Sequence, residues 1–340
     1  MLRGRIYRST VVGQRGRTMK KNLNALVVGC GSIGKRHLKN LCKVKDIGRV
    51  YVQSSVPECL SGIDNNGKHI ELVNNLHGLN IDIALICNET YKHVDTAIEL
   101  AKMGVHLFIE KPVSHNLNKL GLLARTAKSH NSRIFVAYNL RFLGAIKFIK
   151  NAVDSDVLGK PCFAEIEVGQ YLPLWRPHTD YRKRYSAVKA KGGGVALDLS
   201  HEVDYMRYIF GPPETKMILK KKVSDLQIDS DDLFEGLYGY KSGFTCRVHL
   251  DYIQKEKIRK IRIVGTCGEL ECDLVKGEIV IRKNGKTKTV ADKKLFDVSL
   301  TYNDELRHFV AVSQGRANPL VTLNDGIEVL KLIEGKHMKS

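Results

Sequence analysis

Asp198, His201 and Asp204 stand three residues apart in the segment GGGVALDLSHEVD, residues 192–204. Residues at that spacing lie on neighbouring turns of one helix face, so a carboxylate and an imidazole here could work together in proton transfer. The same spacing also describes the wet face of an ordinary helix. The choice depends on what the rest of the chain brings to the segment.

Gly29, Gly31 and Gly34 offer a more definite chemistry. They fit G-x-G-x-x-G in VVGCGSIGKRH, between a short apolar run at 23–28 and a helical pattern through Ile33, Leu38 and Leu41. The first glycine permits a tight turn, the second lets the backbone approach a pyrophosphate, and the third allows close helix–strand packing. Free amides at the helix start then face the phosphates. This places a dinucleotide on Gly29, Gly31, Ser32, Ile33 and Gly34. The acid that usually binds the ribose 2′-hydroxyl at the end of the second strand is missing from RVYVQSS, where Gln53, Ser54 and Ser55 stand. Ser54 could bond a hydroxyl or a 2′-phosphate, and Lys35 or Arg36 could reach that phosphate, so NAD and NADP both stay open.

These groups need elements to hold them, and the sequence supplies an alternating series. IDIALICNETYKHVDTAIELAKMGVHLFIEKPV predicts a strand over 81–87, a helix from about 92 to 103 and a strand over 105–109. Such alternation implies right-handed crossovers and a parallel sheet. After residue 142 strand-like runs dominate, among them CFAEIEVGQYL, FTCRVHLDYI and KIRIVGTCGELECDL. The chain therefore reads as an α/β Rossmann domain over 21–141 and an α+β domain over 142–340, hinged near Arg141.

Composition narrows the function class. With 340 residues, two domains are expected, each able to bury a core. No run of about 18 apolar residues suggests a membrane span. Eight cysteines occur without a C-x-x-C pair, which points to a reduced, cytoplasmic protein with no metal site. The net charge is +19, of which residues 1–21 contribute seven basic and no acidic residues. The remaining excess is dispersed and lacks interleaved aromatics, so a nucleic-acid footprint is not expected. Residues 1–20 read as a flexible basic extension, either an organelle transit peptide or the product of an upstream start, with Met19 opening the folded chain.

Glu110-Lys111-Pro112, directly after a strand in FIEKP, resembles the signature of the Gfo/Idh/MocA family of nicotinamide-dependent sugar oxidoreductases. GCGSIGKRH, CNETYKHVDTA, VAYNLRF, the triple glycine, IRIVGTCGELE and YNDELRHFVAVSQG are similar to further family landmarks and come in the family's order. The resemblance implies a second domain whose large open, mostly antiparallel sheet covers the active site and assembles a homo-oligomer, a dimer or tetramer. It places Asn88, His93, Glu110 and Lys111 at the cofactor, and Tyr138 and Asn139 at the substrate. It also implies a cis Lys111–Pro112 bond.

In the family, the lysine lies beside the nicotinamide and the reacting hydroxyl. A fixed cation there stabilises the oxygen from which hydride departure leaves electron density. The resemblance makes His201 the general base and Asp198 its neighbour; a histidine pKa near working pH suits that task. The common family spacing from Asp to His is four, whereas here it is three, as in a sugar branch that reads LSHE. Upstream, QYLPLWRPHTDYRKRYS contains Trp175, Arg176, Tyr181 and Arg182, an aromatic platform beside guanidiniums. It suits an anionic sugar and is similar to a segment of relatives from surface-glycan gene clusters, implying a nucleotide-linked or phosphorylated amino sugar. The three glycines are expected to form a flexible turn admitting substrate. The alternatives are a cofactor-retaining glycoside hydrolase of the same family and a non-catalytic dinucleotide sensor.

Overall fold

The structure is a computed structural model that describes residues 22–56 and 60–335; the expected basic extension at 1–20 lies outside them. The first half alternates strand and helix: β1 (Leu23–Val28), α1 (Ser32–Cys42), β2 (Ile47–Gln53), β3 (Ile70–Leu72), β4 (Ile83–Ile86), α2 (His93–Lys102), β5 (His106–Glu110), α3 (Leu120–Ser129) and β6 (Ile134–Ala137). The six strands form one parallel sheet in the order β3-β2-β1-β4-β5-β6. β4 and β6 are buried along their whole length, as continuous apolar runs covered by helices on both faces require.

A short 3-10 turn, Asn139–Phe142, leads into α4 (Gly144–Asp154), β7 (Pro161–Gly169), α5 (Val195–Asp198) and α6 (His201–Phe210). Seven strands follow: β8 (Thr215–Lys221), β9 (Leu233–Gly239), β10 (Thr245–Asp251), β11 (Ile258–Gly265), β12 (Glu269–Asp273), β13 (Glu278–Lys283) and β14 (Lys286–Val290). With β7 they form an eight-stranded sheet in the order β14-β13-β12-β11-β7-β10-β9-β8. It is antiparallel except where β10 runs parallel to β7. Alternation divides its faces. Ala164, Ile166, Val168, Cys246, Val248 and Leu250 are buried under α5 and α6. The opposite face carries Glu165, Arg247, Glu235 and His249 in mutual ion pairs.

The last two helices, α7 (Val298–Ser313) and α8 (Leu323–Ile333), return to the first sheet: α7 packs on α1 and α8 on β6. Arg141 lies where these parts meet. Its guanidinium donates through Nε and Nη2 to the buried Asp204 carboxylate and through Nη1 to the Leu320 carbonyl. Asp204 is therefore committed to an ion pair and does not share a polar stripe with His201. The expected unbroken helix is interrupted as well, because α5 stops at Asp198 and α6 starts at His201.

Candidate active site

The dinucleotide turn connects β1 to α1, and its three glycines answer three different demands. Gly29 has φ +83°, and a Cβ on it would sit 2.6 Å from the Asn88 backbone. A Cβ on Gly34 would overlap the Gly29 carbonyl, so helix and turn meet backbone to backbone. Among the described residues, nothing lies within 4 Å of a Cβ on Gly31. A group lying over the turn explains the missing side chain there. The start of α1 has no side-chain cap and no acid in its first turn, leaving the amides after Gly31 to an anion. Asn88 adds a buried Oδ1 without a partner among the described residues, while its Nδ2 donates to Thr96. The residues present fit a dinucleotide.

Three other residues expected at the cofactor have their polar atoms engaged elsewhere. The two ring nitrogens of His93 lie 3.0 Å from the Pro112 and Asn88 carbonyls, so His93 braces the loop after β5 against the end of β4. Burial first of all lowers its pKa. Glu110 turns towards α1 and meets His37 Nε2 at 2.6 Å. Ser54 closes a local turn, its Oγ accepting from the Val56 amide at 3.1 Å.

Lys111 follows β5, its bond to Pro112 is cis, and its Nζ donates to the Asp198 carbonyl at 2.6 Å. That contact joins the first sheet to α5. Burial lowers the lysine pKa, opposed by the charges of Asp198, Glu110 and Glu202. Asp198 is 5% exposed, and its Oδ2 accepts from the Tyr252 hydroxyl at 2.6 Å. His201 stands edge-on to Tyr138, with ring centroids 5.6 Å apart, and its buried Nδ1 has no hydrogen-bond partner among the described residues. Burial holds the imidazole pKa well below the usual histidine value, and the nearby cations of Lys111 and Arg259 add to this. These surroundings oppose taking up a proton.

The remaining substrate candidates divide. Tyr138 is fully buried, with its hydroxyl on Ser200, and Asn139 donates to Thr301 at 2.7 Å. Both side chains are buried at the joint. Trp175 packs edge-on against Tyr252, with centroids 5.2 Å apart, and donates to the Gln170 carbonyl. Arg176 crosses to the first domain, where Nη2 donates to Ser32 Oγ at 3.3 Å. Its charge thus lies at the dinucleotide turn, where it suits a pyrophosphate. The Arg182 guanidinium forms two bonds with Asp180 and one with Gln227, so its charge is already compensated. The Tyr181 hydroxyl accepts from the Gln227 amide. Trp175, Arg176, Arg184 and Tyr185 border a cavity of about 60 Å³.

The glycine triplet is packed on three sides, where a flexible turn was expected. Cβ atoms on Gly192, Gly193 and Gly194 would collide with His115, the Tyr185 carbonyl and Asp231 in turn. Close approach, together with φ of +81° at Gly192 and +119° at Gly194, dictates the residue type. Sequence reasoning missed Tyr252, Tyr185, Glu202 and Arg259. Tyr252 lies 54 residues beyond Asp198, and nothing in its local pattern marks it.

Two family models match, "Oxidoreductase family, NAD-binding Rossmann fold" over residues 23–138 and "GFO/IDH/MocA C-terminal domain" over 146–271. The chain belongs to the Gfo/Idh/MocA family. Among curated relatives it is 28% identical over 208 residues to the uncharacterized oxidoreductase YrbE of Bacillus subtilis, covering 59% of this chain and 58% of that protein. It is 32% identical over 193 residues to the myo-inositol 2-dehydrogenase of Thermotoga maritima, covering 54% of each. The chain thus spans a little over half the length of these two relatives. Among solved structures, the WlbA dehydrogenase of Bordetella pertussis, in complex with NADH and UDP-GlcNAcA, has the same fold. Its TM-score is 0.80 at 17% identity, over 93% of this chain and 95% of that one.

Proposed function

We propose that the protein is an NAD(P)-dependent dehydrogenase or reductase, moving a hydride between the nicotinamide and a sugar-derived hydroxyl or ketone. The observation that carries this reading is Lys111 Nζ held on Asp198, which brings a buried cation to the seam between the first sheet and α5. The bound dinucleotide supplies the hydride acceptor or donor. Gly31, Ser32, Ile33 and Asn88 would hold it, with Arg176 over the pyrophosphate. Lys111 stabilises the oxygen on which charge develops, and low surrounding polarity strengthens that effect. His201, kept neutral, hydrogen-bonds and orients the sugar.

The finer substrate assignment is a nucleotide-linked or phosphorylated sugar. It is supported by the neighbour bound to UDP-GlcNAcA and by Arg184 bordering the cavity beside Trp175. A homo-oligomer assembled through the open sheet face and a cytoplasmic location belong to the same reading; no described helix is long and apolar enough to cross a membrane. The test is a screen of sugars, sugar phosphates and sugar nucleotides with NAD and NADP, read by nicotinamide absorbance. Net cofactor reduction is expected. Tight retention with glycoside hydrolysis, or binding with no turnover, would replace this reading with the hydrolase or the sensor.

A further inference from the structure

The buried face of α1 holds a polar residue that the mechanism above does not use. Gly34, Leu38 and Leu41 belong to that face, and His37 lies among them without solvent exposure. Its ring stands edge-on to Phe108, with centroids 4.9 Å apart. Phe108 and Glu110 are alternate residues of β5 and share one face of the strand, which carries the Glu110 carboxylate to the imidazole. His37 Nε2 and Glu110 Oε1 are 2.6 Å apart, and beside a carboxylate acceptor Nε2 is the nitrogen that carries the proton.

Packing alone does not account for this pair. Burying an imidazole and a carboxylate strips water from both, and apolar side chains of similar volume often serve stability as well or better. His37 Nδ1 adds to the cost, since it is buried without a hydrogen-bond partner among the described residues. What the pair achieves is a connection. While Oε1 is held by His37, Glu110 Oε2 accepts from the Lys111 backbone amide at 3.2 Å. From that same residue the lysine side chain runs to the Asp198 carbonyl. A hydrogen-bonded chain thus leads from α1, whose first amides are left to an anion, to the backbone of Lys111.

We propose that His37 is a positioning residue for hydride transfer: through Glu110 it ties the backbone of Lys111 to the helix that binds the dinucleotide. The proposal rests on the oxidoreductase reading. Cofactor and lysine approach the reacting carbon and oxygen from two different loops, so the rate depends on how closely their separation is held. α1 starts at Ser32, and His37 lies within its second turn. The Glu110 carboxylate turns the rigidity of that helix into a fixed origin for the lysine side chain. Being fully buried, His37 meets neither cofactor nor substrate, so its loss falls on turnover and spares binding.

Two measurements test this. Glu–Lys steps occur in the sequence only at 110–111 and 256–257, so protein labelled with 13C at glutamate carbonyls and 15N at lysine amides gives two correlated signals. Lys257→Arg assigns them. In NADH-bound protein the Lys111 signal is expected to move in His37→Leu and to return towards its wild-type position in His37→Gln, whose Nε2 reaches Glu110 as the imidazole does. A signal that stays in place in His37→Leu, or that both variants move alike, overturns the proposal. His37→Asn, whose amide is too short for Glu110, takes the place of His37→Leu if that variant does not fold. In turnover of sugars, sugar phosphates and sugar nucleotides with NAD and NADP, His37→Leu should lower kcat by ~10- to 10²-fold, with NADH Kd and sugar KM near wild type. His37→Gln should recover most of that loss. Wild-type kcat in His37→Leu, or a loss that His37→Gln shares in full, overturns the assignment. A wild-type protein inactive on the whole panel counts against the dehydrogenase reading, and the amide signals then decide alone whether His37 positions Lys111.

Discussion

At the residue scale the site depends on where a few charges are compensated. Lys111 is held in a desolvated place with its Nζ on the neutral Asp198 carbonyl, and in the proposed reaction that leaves its charge for the developing alkoxide. Lys111→Ala should lower kcat by ~10²-fold or more, in line with losing one oxyanion donor, while NADH affinity changes little. Stopped-flow hydride transfer alongside fluorescence titration of NADH checks both halves. Arg176 and Arg182 are six positions apart and chemically alike, yet Asp180 compensates one and the other reaches Ser32. Arg176→Ala should therefore raise the cofactor Kd roughly tenfold, the equivalent of one charge-assisted hydrogen bond of ~1.5 kcal/mol. Arg182→Ala should leave it near wild type. Equal effects of the two variants in calorimetry would remove Arg176 from the dinucleotide site.

At the element scale the glycine turn and α7 make contrasting demands. A side chain at position 31 points into open space, whereas one at 34 runs into backbone. Gly31→Val should keep the wild-type melting temperature and lose cofactor binding; Gly34→Val should lose ~1–3 kcal/mol of stability from overpacking. Thermal melts with and without NADH separate the two. In α7, Glu305 is fully buried, and neither carboxylate oxygen has a hydrogen-bond partner among the described residues. Burial, and then the charge of Glu110, raise its pKa well above the ordinary 4.5. The native state therefore holds this proton more tightly than the unfolded chain, and the stability it contributes is lost as pH rises from about 4.5 through the raised folded value. Glu305→Gln should consequently gain ~1–3 kcal/mol over wild type at neutral and alkaline pH, and that gain should vanish below about 4.5. Urea unfolding across the pH range measures the difference.

At the scale of the whole molecule, the joint between the two sheets is built from buried charge. Arg141, from the turn after β6, and Asp204, from α6, are 4% and 1% exposed, and Asp325 lies 3.5 Å from the same guanidinium. Breaking a buried pair leaves an uncompensated ion, so Asp204→Asn should cost about 3–5 kcal/mol in denaturant unfolding. A cost under ~1 kcal/mol would show that the pair does not hold the joint. Much of this molecule was legible beforehand. Apolar runs and helical periodicity are local properties, so β1, α1, α2 and β5 fall within a residue or two of where the pattern placed them. The glycine turn was equally legible, since its requirements lie within six residues. The site beyond that turn was not. Asp198 and His201 share a short segment, but a break in the helix sends Asp198 to Tyr252 and leaves the imidazole beside Lys111 and Arg259. Asp180 pairs with Arg182, and the contacts that bury Tyr138 and Asn139 come from Ser200 and from Thr301 in α7. The sequence by itself determined the two sheets, the dinucleotide turn and Lys111 at a strand end, because nearest neighbours along the chain decide those. Where Asp198 and Lys111 point was decided only by the tertiary structure, because their hydrogen-bond partners lie 54 and 87 positions away.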